Sequence, residues 1–183
     1  MNRYALLKST LVAAIAAVSG TAAHANEYVA RFSGFEELGA LNAETGAIYS
    51  PNGTGTLLLN LNRGAGTLAY TLTFSGLSAP VLQSHIHFGK EHVPGGVMVF
   101  LCTNLNNGPA GTPACPAGGG TVTGTITAAD VVGPASQGVA AGNFDAVVAA
   151  LVSNTAYGNI HTANFPAGEI RGQISPLESE NEQ

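Results

Sequence analysis

Two runs rich in β-forming residues, Gly53-Thr-Gly-Thr-Leu-Leu-Leu-Asn-Leu-Asn62 and Thr67-Leu-Ala-Tyr-Thr-Leu-Thr-Phe74, are separated only by Arg63-Gly-Ala-Gly66. A short glycine-containing connection between two such runs commits the chain to a β-hairpin. The same logic extends along the sequence. Residues 28–35 alternate Tyr28, Ala30 and Phe32 with Val29, Arg31 and Ser33, the period of a half-buried strand. Further strands are predicted over 83–88, 97–101, 121–126, 158–162 and 169–174. Behind Asn143, a good helix cap, Phe144, Val147, Val148 and Leu151 recur at helical spacing and predict one helix over 143–151. About eight closely spaced strands with one short helical insert predict an all-β fold, an antiparallel Greek-key sandwich or barrel.

Composition narrows the possibilities further. The chain has 183 residues, of which 24 are Gly and only 9% are charged, which excludes a coiled coil and a highly charged disordered chain. Six basic against eleven acidic residues argue against nucleic acid or an anionic membrane as partner.

Residues 1–25 read as a secretory signal. Arg3 and Lys8 form a basic start, residues 11–18 a short apolar core, and Ala23-His24-Ala25 a small-residue cleavage site. The apolar run is too short to span ~30 Å of hydrocarbon, so no membrane span is expected after cleavage. The domain then covers 26–175, followed by a polar acidic tail over 176–183. Export to the periplasm, the cell surface or the medium follows. In such an oxidising compartment Cys102 and Cys115, which bracket an Asn-, Gly- and Pro-rich loop, are expected to form a disulfide.

The chemistry is concentrated in histidine. Ser84-His85-Ile86-His87-Phe88-Gly89 places two imidazoles at i and i+2, on one face of a strand, with Ile86 and Phe88 on the other. Two imidazoles on one face can occupy adjacent positions around Cu²⁺ or Zn²⁺. His92 lies in the following turn, and His161 sits on a distant predicted strand that sheet pairing can bring alongside. The candidate metal ligands are therefore His85, His87, His161 and His92. The plainer alternative is that these rings hydrogen-bond backbone and hydroxyl groups and brace loops. Glu169 and Arg171 form a second i, i+2 pair on a strand, with structural ion pairing as the plain reading. Glu36-Glu37 reads as a solvated acidic doublet. No GxSxG, Walker or HExxH motif is present, so the reading leans away from catalysis.

The segments Ser84-His-Ile-His-Phe-Gly89, Phe100-Leu-Cys102, Cys115-Pro116, Gly124-Thr-Ile-Thr-Ala-Ala-Asp130 and Tyr157-Gly-Asn-Ile-His-Thr-Ala-Asn-Phe-Pro-Ala-Gly-Glu-Ile-Arg-Gly-Gln173 resemble the CHRD (chordin-type) domain. The resemblance covers about Tyr28 to Ile174 and implies an all-β extracellular domain, as in secreted bacterial single-domain proteins. A fainter similarity is to copper–zinc superoxide dismutase barrels. It implies His85 and His87 as copper ligands, His161 as a distant further ligand and Arg171 as an anion-guiding residue. No His- and Asp-rich zinc loop follows His92, so a mononuclear site is the most this set can build. The expected partner is thus a metal ion or an extracellular protein. The functional reading is a non-catalytic exported binding module with a copper or zinc site, against a metal-free interaction domain with purely structural histidines.

Overall fold

The structure is a computed structural model that describes residues 26–37, 41–47 and 49–177. The predicted secretory signal and residues 178–183 of the acidic tail lie outside the described residues.

The strands are β1 (Glu27–Ser33), β2 (Thr54–Asn62), β3 (Thr67–Ser75), β4 (Val81–Phe88), β5 (Gly96–Thr103), β6 (Gly120–Ile126), β7 (Ala156–Thr162), β8 (Ile170–Gln173) and the two-residue β9 (Ser175–Pro176). They form one antiparallel sheet in the order β5-β4-β7-β8-β1-β2-β3-β6, with β9 also pairing β1. The sheet curls into a nearly closed barrel, as the all-β prediction anticipates. Near its two edges, β5 and β6, Val131 beyond the end of β6 forms a bridge with Val99 on β5, and the Tyr70 hydroxyl on β3 donates to the Leu101 carbonyl at 2.6 Å.

The predicted hairpin is β2–β3. Its partners Leu57–Leu72, Leu59–Tyr70 and Leu61–Leu68 all face inward, and their alternation with exposed residues is what fixes the register. Gly66 takes the left-handed conformation, at φ 65°, that closes the turn. The predicted helix is α1 (Phe144–Val152). Asn143 Oδ1 accepts the Ala146 N–H at 3.1 Å, and Val147, Ala150 and Leu151 are buried.

The core runs along the barrel interior through Phe32, Leu57, Leu72, Ile86, Leu101, Ile160 and Ile170. The backbones approach closely where β8 meets β1. A methyl group on Gly172 would lie 2.3 Å from the Arg31 carbonyl oxygen, so only glycine allows this approach. Cys102 and Cys115 are joined by a disulfide that tethers the loop between β5 and β6. Closing a loop of this size contributes ~3 kcal/mol in the chain-entropy account.

Candidate metal centre

The centre is built on β4, β7 and β8 by strict alternation. Ile86 and Ile160 enter the core, so His85, His87, Tyr157, Asn159 and His161 share the opposite face. Register does the rest. His85 is opposite Asn159, His87 opposite Tyr157, and Arg171 on β8 is opposite Asn159 from the other side. The pairing of β4 with β5 is irregular on both sides of His85–Ile86, and such local bulges re-aim side chains.

Among the described residues, three segments cover this face and bury it. They contribute Glu37 after β1, Gly95 before β5 and Pro166 between β7 and β8. His85, His87 and His161 are 2%, 7% and 7% exposed, so any ion among them would be largely shielded from water.

The three imidazoles each offer a ring nitrogen, and these nitrogens lie within 4.8 Å of one another. Their protons can be placed from the partners. His87 Nδ1 sits 2.9 Å from the Gly95 carbonyl oxygen and His161 Nδ1 3.1 Å from that of Pro166. A carbonyl only accepts, so both rings carry their proton on Nδ1 and leave an Nε2 lone pair. Backbone carbonyls that fix the tautomer in this way are the usual support for metal-ligating histidines. His161 Nε2 lies 3.2 Å from His85 Nδ1, while His85 Nε2 is buried without a hydrogen-bond partner among the described residues. His85 also packs edge-on against Phe100, with ring centroids 4.4 Å apart.

Burial governs the charge of all three. It drives the His85 ring down to about 2, with His161 and His87 beside it adding to the shift. Burial likewise lowers His161 to about 4, reinforced by His87 and opposed by the Pro166 contact. His87 is also lowered, chiefly by burial, against its hydrogen bonds to Gly95 and Asn159. The rings are therefore neutral at physiological pH, the state in which they ligate metals.

Other candidates have different surroundings. His92 adopts a left-handed conformation at φ 59° and turns to Glu36, 3.1 Å away, in an exposed group with Glu91. It is not one of the three buried rings. Glu169 precedes β8 rather than lying on it, and its buried carboxylate accepts from Ser50 Oγ, Ser78 N–H, Ser78 Oγ and Thr162 Oγ1 at 2.5–2.9 Å. Arg171 donates to the Lys90 and Val93 carbonyls. Its guanidinium lies over the Tyr157 ring at 3.3 Å from the centroid, and Tyr157 in turn stacks on His87 with centroids 4.8 Å apart.

The expectation of a solvated Glu36-Glu37 doublet is corrected by half. Glu36 is at the surface, but Glu37 is 8% exposed and accepts from Asn159 Nδ2 at 3.3 Å. Desolvation pushes the Glu37 carboxyl up to about 7. Nothing in an acidic doublet signals which member is inside. Asn159 was equally silent, although its position two residues before His161 places it on the ligand face.

Comparison with known proteins adds a family relationship. The family model for the CHRD domain matches residues 28–174, which is most of the chain and includes every histidine of the buried cluster. No curated protein and no solved structure matches the chain.

Proposed function

We propose, from the premise that this chain belongs to the CHRD-domain family, that it is an exported binding module in which His85, His87 and His161 hold one copper or zinc ion. The family supports an extracellular type of binding domain. The disulfide is in keeping with an oxidising compartment, and no helix among the described residues is long and apolar enough to cross a membrane.

One observation carries the metal reading. Two buried imidazoles are held by backbone carbonyls in the tautomer that puts a lone pair on Nε2, and the third ring brings its Nδ1 to 3.2 Å from one of these, so that three ring nitrogens lie within 4.8 Å of one another. Convergence of three neutral imidazoles in a buried place is the arrangement that ligation of a metal ion requires. A donor set dominated by imidazole selects Cu, Zn or Ni rather than Mg or Ca. The ion, when bound, would supply a shielded positive charge and, for copper, a one-electron redox centre.

The metal-free reading has an observation of its own. The 3.2 Å separation of His85 Nδ1 and His161 Nε2 suits an N–H···N hydrogen bond that braces β4 against β7. It equally suits two neighbouring ligands, since ~2.0–2.1 Å bonds to a tetrahedral ion set their nitrogens about 3.3 Å apart.

Calorimetric titration of the tag-free protein with Cu²⁺ and Zn²⁺ separates the two readings. One equivalent should bind with micromolar or tighter Kd. The His85→Asn/His87→Asn double variant should lose at least ~100-fold, since two of three ligands are gone. An unchanged isotherm in the double variant eliminates this site.

A further inference from the structure

Asn159 stands at the centre of the cluster, across the strand from His85, two residues from His161 and 3.0 Å from the Nε2 of His87. The contact with His87 is chemically incomplete. The His87 proton is committed to the Gly95 carbonyl, so Nε2 presents a lone pair. The Asn159 amide has its Nδ2 turned to Glu37 Oε2, so the atom facing His87 is Oδ1, a second acceptor. With the amide in this orientation two acceptors meet in a buried place with no proton between them; the reversed amide would give His87 a donor only if Glu37 kept its proton and donated it to Oδ1. A doubly protonated His87 would fill the gap only by burying another cation one ring away from Arg171, whose guanidinium covers the far face of Tyr157. A metal ion also brings positive charge to this place, but it offsets that charge by bonding directly to the His87 and Asn159 lone pairs and to those of the neighbouring rings.

We propose that the side-chain oxygen of Asn159 is a fourth ligand, completing a three-nitrogen, one-oxygen set with His85, His87 and His161. The inference rests on the metal reading above. Glu37 acts as a positioning residue: its carboxyl holds the amide nitrogen and thereby keeps Oδ1 turned toward the histidines. The proposal also accounts for a buried carboxyl that is linked to His87 through a single amide.

The test uses Asn159→Leu, similar in size and without a donor atom, titrated with Cu²⁺ and Zn²⁺ beside the unaltered protein. Affinity should fall at least ~10-fold, and the electron paramagnetic resonance spectrum of the Cu²⁺ form should change as an oxygen ligand is lost or replaced by water. A structure of the Zn²⁺-loaded unaltered protein needs no variant to fold and should place Oδ1 ~2.0–2.2 Å from the ion. Equal affinity with an identical spectrum in Asn159→Leu, or an Oδ1 more than ~3 Å from the bound ion, overturns the fourth ligand and leaves the three-histidine site standing. An unaltered protein that takes up neither metal overturns both readings.

Discussion

Replacing Glu169 with alanine is expected to lower the unfolding free energy by about 3 kcal/mol or more, since several buried donors, each costing about 1–3 kcal/mol when left unsatisfied, lose one shared acceptor. The carboxylate gathers donors from three separate places: Ser50, Ser78 between β3 and β4, and Thr162 at the end of β7. All of them donate, so removing the acceptor strands the protons of three hydroxyls and a backbone N–H in a site where the carboxylate residue is 1% exposed. Thr162 Oγ1 also accepts from the Phe165 N–H, so the loss reaches the loop that supplies the Pro166 carbonyl to His161. Glu169→Gln should cost less than half as much, because two of the hydroxyls can reverse and accept from the new amide. Urea unfolding of both variants reads the difference. A Glu169→Ala midpoint equal to that of the unaltered protein would contradict the clamp.

Acid should destabilise the metal-free protein steeply between pH 6.5 and 4. The buried histidines titrate near 6.5 once unfolded, whereas in the fold His161 is held down to about 4 and His85 and His87 are also depressed. The unfolded chain therefore binds more protons in this window, and stability rises with pH. It is fully present above about 6.5 and is lost as pH falls toward the folded values. For His161 alone the shift from 6.5 to about 4 corresponds to about 3 kcal/mol. Glu37 opposes this. Its carboxyl, raised from 4.5 to about 7, keeps its proton longer in the fold, so its share of stability falls as pH rises through that range. The histidines outnumber it, and below 4.5 its opposition ends. Thermal melts at pH 7, 5.5 and 4.5 should fall in that order, and the His85→Asn/His87→Asn variant should show a shallower decline. Melting temperatures that are level or rise toward pH 4.5 would mean that the rings are charged in the fold. The same burial moves the acid limit of metal binding below the ~6.5 expected of unperturbed histidines.

The barrel was legible because its strands carry their own signal. Leucines alternate with polar residues along β2 and β3, so hairpin, register and inward face follow from one pattern. The His85–His87 face was legible for the same reason, since period two leaves no alternative once β4 is a strand. His161 required the pairing of β4 with β7, residues more than seventy positions apart, and nearness in sequence gives no guide to that. His92 shows the converse. It is five residues from His87, but its left-handed backbone belongs to a surface turn, and its ring goes to Glu36. Glu37 and Asn159 were illegible as site residues because a carboxyl in a loop and an amide in a strand have many ordinary uses. Only the segments folded over the sheet distinguish them. Glu169 and Arg171 share a short stretch of sequence and no contact partner, because one precedes β8 and the other lies on it, facing β7.

The central claim is that the three buried imidazoles form a metal centre. Metal analysis of the protein purified from its native compartment, without added metal or chelator, tests it most directly. The account predicts close to one atom of copper or zinc per chain, and that atom should be absent from the His85→Asn/His87→Asn variant prepared in the same way. Protein isolated with neither metal, and unable to take up either, would contradict it.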